Sequence, residues 1–409
     1  VTRGGPELAE EFARALRRLR LASGMTQQAV ADALSVRRPT FTQWESGRYL
    51  PSERNIAALD DLLRSDGELA RVVDPQPSTV AATPEPTTPS AYEVFRRVGR
   101  TLVDEMARDD DGHPVGWRRD FGQRPASPLS TATGIRLLTI VDTPFVDLGR
   151  LGRSLAAMED SSGGWGARGF RGRPEVTALV MDALARIGGP LDLDRLVPIL
   201  DRQTTARSLG QVHVTSEVLR SLAPLRTDAD LTKRAVHALL GTRLENGAWP
   251  EKRATRSGIT PQSSPAHTAR AVIALRTYCD CGGEEEATEV GSALDEATTW
   301  LAGQQDFYYP VRENLEPSPE DPEYGDLEIR HFTGALVAQA LLRHRPTSRT
   351  AIDAAVDATW QHYWRAAGLW AWPNGDTPIW MQHEGVLAIL LLLQRRHHAP
   401  PAEPAIPLR

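Results

Sequence analysis

Residues 160–187 read DSSGGWGARGFRGRPEVTALVMDALARI. A Ser-Gly-Gly turn ends in Trp165, a loop carries one proline, Pro174, and a run of small and aliphatic residues extends to Ile187. Apolar positions cover most of the circumference of that run, so it predicts a helix buried on several sides. The pattern recurs along the chain, and a recurring unit fixes an architecture more firmly than any single helix. Gly116-Trp117 leads through Pro125 and Pro128 to Thr131–Leu138, and Asn246-Gly-Ala-Trp249 leads through Pro261 and Pro265 to His267–Leu275. Less regular copies end in His213–Leu222, His331–Leu341 and Gln382–Leu390, the first without a tryptophan and the second with Phe307 in its place.

With Thr133, Thr177, Thr215, Thr268, Thr333 and Gly385 as anchors, six units repeat at about 40 to 65 residues, the size of a helical hairpin. Segments with one apolar and one polar face, 148–158, 193–202, 231–243, 293–304 and 350–366, read as outer helices. The Ala-, Leu- and Val-rich segments read as inner helices. Six such hairpins closing on themselves make an α/α barrel. The Gly-Gly-Trp turn, the later proline and the Thr-x-x-Ala-Leu helix resemble the repeat of the squalene cyclase and protein prenyltransferase superfamily, the α/α toroid. That resemblance covers roughly 91–396 and implies the fold, while toroids host unrelated functions.

The N-terminal part is written differently. Glu7–Ala22 is amphipathic, Thr26 is suited to N-cap a helix from Gln27 to Leu34, and a third helix runs from about Arg37 to Ser46. Pro39 is tolerated only in a first turn, which places the start of that helix near Arg37 or Arg38. Two short helices joined by a tight turn inside a small bundle form a helix-turn-helix. Met25–Leu34, Phe41-Thr-Gln-Trp-Glu-Ser-Gly-Arg48 and Leu50-Pro-Ser52 resemble the phage Cro/repressor (XRE) family over about residues 7–70. By position, the resemblance makes Gln27 a phosphate contact, sets Arg37, Arg38, Thr42 and Gln43 at base edges, and puts Arg48 near the backbone. Arginine is the side chain that pairs bidentately with guanine. Phe41 and Trp44 read as core, and Glu45 as a structural partner for an arginine of the bundle. Residues 1–70 hold ten basic and ten acidic side chains, so DNA affinity would rest on a local patch.

The expectation is an all-α chain: a helix-turn-helix domain at 1–73, a flexible Pro/Thr-rich linker at 74–90, an (α/α)6 toroid at 91–398 and a tail at 399–409. Net charge is −6 and only two lysines occur, Lys233 and Lys252, so there is neither a global nucleic-acid signature nor a polybasic anchor. Two cysteines, Cys279 and Cys281, cannot build a disulfide framework. With no signal-peptide pattern and no apolar run of about 18 residues, the expectation is a cytoplasmic protein without a membrane span.

Chemistry is harder to find. Class II terpene cyclases use an Asp-x-Asp-Asp acid, and the nearest match, Asp192-Leu-Asp194, is followed by Arg195. Asp109–Asp111 reads as a solvated loop, and Cys279-Asp-Cys281 lacks a convincing third and fourth zinc ligand. No catalytic residue, metal or cofactor is assigned. In register with the anchors, His213, His331 and His383 stand two residues upstream, His267 one, and Glu175 takes the same place in its repeat. With Trp117, Phe332, Trp372 and Trp380 they are candidates for a ring at the cavity mouth that takes a small apolar ligand with a polar or anionic head. Trp165 and Trp249 read as structural, and residues 306–328 as a lid or partner surface. The reading is therefore a DNA-binding regulator, a homodimer on double-stranded DNA, whose toroid senses a ligand or a partner. The alternatives are an isoprenoid-processing enzyme with an appended helix-turn-helix, and a protein-binding scaffold in a defence or stress pathway.

Overall fold

The structure is a computed structural model. It describes the chain apart from residues 1–5, 24, 35, 37, 49, 52, 64, 66–67, 74–88, 119–125, 142, 144–145, 167–171, 227–228, 252–260, 284–286, 305, 309–310, 316–326, 345–347, 366, 373–375 and 399–409. Most of the linker and the tail expected from the sequence therefore lie outside the described residues. Two compact units separate, one of residues 1–89 with 371–377 and one of the remainder.

The first unit holds α1 (Pro6–Ala22), α2 (Gln27–Ala33), α3 (Arg38–Glu45), α4 (Glu53–Leu63) and α5 (Glu68–Val73). Thr26 N-caps α2, its hydroxyl accepting from the Ala29 N–H. The third helix starts at Arg38, which leaves Pro39 in the first turn as its chemistry requires. Phe12, Leu16, Val30, Phe41, Trp44, Ile56, Leu59 and Leu69 form one buried core, with Phe41 edge-on to Trp44.

The second unit alternates outer and inner helices. In order they are α6 (Ala91–Asp104), α7 (Pro128–Leu138), α8 (Leu148–Ala156), α9 (Pro174–Arg186), α10 (Leu193–Gln203), the short α11 (Ala206–Leu209), α12 (Val212–Leu222), α13 (Ala229–Thr242), α14 (Pro265–Asp280), α15 (Ala287–Ala302), α16 (Thr333–Arg343), α17 (Arg349–Gln361) and α18 (Ile379–His398). Helices α7, α9, α12, α14, α16 and α18 each pack on the next, and α18 packs back on α7. The inner wall is thus a closed ring of six. Three short antiparallel ribbons decorate the loops: β1 (Ala107–Arg108) with β2 (Pro114–Gly116), β3 (Val311–Leu315) with β4 (Leu327–His331), and β5 (Tyr363–Trp364) with β6 (Leu369–Trp370). The second falls within the segment expected to be a lid.

One hydrogen-bonded clamp recurs in four of the six hairpins. A helix leaves its last four carbonyls without intrahelical partners, and a buried indole N–H needs an acceptor. The two needs meet. Trp117 Nε1 donates to the Leu102 carbonyl at the end of α6, Trp165 to Leu155 of α8, Trp249 to Leu239 of α13, and Trp370 to Thr359 of α17, at 2.7–3.1 Å. The backbone N–H of each tryptophan then donates to the first turns of the next inner helix: to Thr131, Thr177 and Thr268 Oγ1, and to Gln382 Oε1. Pro128, Pro174 and Pro265 are the first residues of their helices, where a missing N–H costs nothing. Gly163 and Gly247, two residues before their tryptophans, sit at φ +85° and +83°, which a side chain would strain. Two units lack the tryptophan: the third substitutes α11, whose Leu209 carbonyl accepts from Thr215 Oγ1, and the fifth carries the buried Phe307.

This clamp corrects the register read from sequence. The equivalents of Thr177 and Thr268 in the first and last units are Thr131 and Gln382, not Thr133 and Gly385. Both glycines have another task. A methyl group on Gly134 would lie 2.4 Å from Trp117 Cε3, and one on Gly385 2.7 Å from Trp370 Cδ2. The indoles therefore lie flat against bare helix backbone, three residues after the clamp.

Gly134→Ala tests this contact by its sign. In an open helix the change gains up to about 1 kcal/mol, whereas overpacking against the indole should cost about 1–3 kcal/mol. Urea unfolding decides between them, and a gain would show that Trp117 does not press on the helix.

Candidate functional site

Two sites can be built from these elements, one in each unit. In the first, Glu45 at the end of α3 is buried and organises three helices. Arg20 of α1 donates to it at 2.6 Å and also to the Met25 carbonyl, and Gln27 Nε2 donates to its other oxygen at 2.7 Å. Gln27 is thereby held at the first residue of α2. Arg38 and Thr42, four residues apart on α3, are exposed, as is Arg48 just beyond it, while Gln43 is half-buried. Thr42 Oγ1 bonds the Arg38 carbonyl at 3.0 Å. Arg37 lies outside the described residues. The expected reading positions that are described thus share the solvent side of one helix, beside a glutamine fixed by a buried ion pair.

The second site is the interior of the ring, and it is charged. Arg136 of α7 is buried and reaches three partners: Asp182 of α9 at 2.5 Å, and Glu217 and Ser221 of α12 at 2.7 and 2.8 Å. Arg186 adds a second cation to Asp182 at 2.8 Å. Arg220 of α12 meets Glu384 of α18 at 3.2 Å. These two helices are third and sixth in the ring, so the pair spans the axis. Gln339 of α16 donates Nε2 to the Glu384 carboxylate at 2.5 Å and to its carbonyl at 3.1 Å. At this level the ring is occupied by side chains that bond one another.

The charges sustain each other. Burial pushes the carboxyls of Asp182, Glu217 and Glu384 up, but the neighbouring cations outweigh it. Arg136 holds Asp182 and Glu217 below their ordinary range, and Arg220 holds Glu384 well below. Burial likewise lowers Arg136, yet Asp182 and Glu217 raise it above its usual value. His383 lies 3.4 Å from Glu384, and burial lowers its pKa despite that neighbour. Sequence reasoning missed Arg136, Asp182, Glu217, Arg220 and Gln339. The available signal was a polar residue interrupting an otherwise apolar inner helix.

The histidines regroup. His267 and His331 have ring centroids 4.7 Å apart and His213 lies 6.3 Å from His331, while Arg270 Nε donates to His331 Nδ1 at 3.2 Å. His383 stands apart, in the Glu384 network, because Gln382 occupies the clamp position. Glu175 pairs with Arg173 in the first turn of α9. Trp117 is not a cavity residue but the first of the clamp tryptophans. Phe332 is buried with its edge on His362, and Trp372 is buried while Trp380 is half-buried.

The other candidate motifs resolve as surface chemistry. Asp192 N-caps α10 and, like Asp194, is exposed. Asp109 accepts the Asp111 and His113 N–H groups in an exposed turn. Cys279 and Cys281 are free thiols whose pKa values burial raises. Among the described residues no helix is long and apolar enough to cross a membrane.

Residues 11–72 match the family model of the helix-turn-helix domain. No curated protein matches the chain. Among solved structures the chain is similar to the type II terpene cyclase MstE from Scytonema in its apo form, at 13% identity and a TM-score of 0.47, covering 74% of this chain and 98% of that one. A protein from Actinoplanes aligns at 19% identity and a TM-score of 0.44, over 74% of this chain and 99% of that one.

Arg136→Met leaves Asp182 and Glu217 without their main partner and should destabilise the ring by about 3–5 kcal/mol at pH 7. Carboxyls lowered on folding contribute stability above the unfolded values, near 3.8 for Asp and 4.5 for Glu. That stability is lost as pH falls through the folded values. The gap between wild type and variant should therefore narrow as pH drops from 7 to below 4 in denaturant titrations. A gap independent of pH would contradict this assignment of charge.

Proposed function

We propose that the chain is a DNA-binding regulator whose helix-turn-helix domain reads double-stranded DNA and whose ring domain supplies the regulatory input. The observation that carries this is the arrangement of the first unit. The Arg20–Glu45–Gln27 network braces α1, α2 and α3, and the exposed face of α3 offers Arg38 and Thr42 with Arg48 beside it. Arg38 reaches a guanine edge, Gln27 and Arg48 contact phosphates, and Thr42 touches a neighbouring base. Residues 1–70 hold equal numbers of basic and acidic side chains, so affinity comes from these positions and not from a diffuse field.

Binding to two half-sites as a homodimer is part of this reading, since a single short recognition helix reads few base pairs. The ring acts by population shift: an effector changes DNA affinity only by preferring one arrangement of the dimer. A charged ring interior favours a polar effector over the mostly apolar one that the aromatic candidates had suggested.

Selection of bound sequences from random DNA, followed by titration over a salt series, tests the reading. Wild type is expected to enrich one sequence. Arg38→Ala should weaken binding to it by about 1–3 kcal/mol and relax preference at one base position. Gln27→Ala should weaken all sequences evenly. Absence of enrichment, or equal binding by Arg38→Ala, would remove DNA reading from the account.

A further inference from the structure

The ring interior holds more positive than negative charge. Arg136, Arg186 and Arg220 are the cations that pair with its three carboxylates, Asp182, Glu217 and Glu384. Asp280, the next nearest acid, is taken by Arg276 at 2.9 Å. Two cations are left over. Among the described residues Arg270 bonds only His331, and Arg343 meets no carboxylate within ion-pair distance. Buried cations normally find a partner because an unpaired one is costly.

Arg343 marks where the surplus gathers. It lies in the last turn of α16, half-buried, and its Nε is enclosed without an acceptor. Arg220 and Arg186 likewise lie in the last turns of the inner helices α12 and α9. Last-turn arginines offset the partial negative charge of helix C-termini, but that role would leave Nε on a carbonyl. One turn earlier on the same face of α16 stands a second orphan. Gln339 is fully buried, and its Nε2 is committed to Glu384, which fixes the amide and leaves Oε1 without a donor. An unmet donor and an unmet acceptor thus lie four residues apart, among like-charged neighbours. The Arg186 side chain is 42% exposed, so this end of the ring opens to solvent.

We infer that the ring binds a small dianion of the phosphate or dicarboxylate class at Arg343, with Arg220 and Arg186 completing the positive wall and Gln339 Oε1 accepting from the ligand's O–H where, as in hydrogenphosphate, it has one. A protonated phosphate supplies both complements, since its charged oxygens answer the guanidinium and its P–OH answers Gln339 Oε1. The site gives the effector of the proposed regulator a chemical class. It rests on that reading only for its regulatory meaning, because binding to the ring needs no DNA.

The test titrates the full chain, at constant ionic strength, with inorganic phosphate, pyrophosphate and succinate, following calorimetric heat and thermal unfolding. Saturable binding by at least one of the three is expected, raising the ring's Tm by about 2–4 °C at ten times its Kd. The ligand that acts separates phosphate from dicarboxylate. Arg343→Met should abolish binding yet melt no lower than unliganded wild type, because it removes a cation that lacks a partner. If that variant does not fold, Arg343→Lys carries the test, with affinity at least tenfold weaker. No saturable binding by any of the three anions, or unchanged affinity in the folded variant, overturns the site. Either result leaves the DNA-binding measurements untouched.

Discussion

The ring depends on the bond between an indole N–H and a carbonyl at the end of the preceding helix. Each outer helix ends with carbonyls that its own turns cannot satisfy, and in four of the six hairpins a tryptophan past a tight turn satisfies one of them. The same residue's backbone then bonds the opening turns of the inner helix, so one side chain sets both the angle and the spacing of a hairpin. Repetition of that geometry brings the sixth inner helix back to the first. Closure in turn creates an interior, and the interior is where the chain departs from an apolar core. Charges from helices far apart in sequence meet there because closure turns their side chains toward one another.

How much of this was legible follows from how local each signal is. Tryptophan, proline and threonine at short spacing are local, and they gave the hairpins, the closed ring and the positions of the inner helices. The clamp register was misread in the first and last units because Thr133 and Gly385 each lie within three residues of the true position. A one-turn slip on an apolar helix leaves its pattern intact. That slip put His383 in a ring with His213 and His331, when it belongs beside Glu384. Trp117, in the same turn as Trp165, was set at the cavity mouth although it clamps the hairpin. For the charged network only its members were legible, as polar residues interrupting apolar inner helices, and not their pairing. Arg136 finds its partners 46, 81 and 85 residues away, and no local period encodes such a meeting. In the first unit the opposite holds: Arg20, Gln27 and Glu45 lie close in sequence, and the pairing of Glu45 with an arginine of the bundle was readable.

These two kinds of order suit two kinds of work. The helix-turn-helix is braced by a short-range buried ion pair, which keeps α3 fixed while its outer face stays available to DNA. The ring is braced by long-range pairs whose charges do not cancel. A polar network in which every group is satisfied rigidifies a core, whereas one with unmet groups is sensitive to whatever completes it. An anion bound at the unmet groups would stabilise one packing of the inner helices over others, which is the differential affinity that a population shift requires.

The central claim is that charge crossing the axis, rather than apolar filling, organises the ring interior. A double-mutant cycle on Arg220 and Glu384, 164 residues apart, tests it most directly. Unfolding free energies of Arg220→Gln, Glu384→Gln and the double variant give the coupling between opposite walls of the ring. A coupling of about 1.5–3 kcal/mol is expected, with the double variant losing much less than the sum of the singles. Additivity to within about 0.5 kcal/mol would show that the two side chains do not meet, and that the interior is not held by charge across the axis.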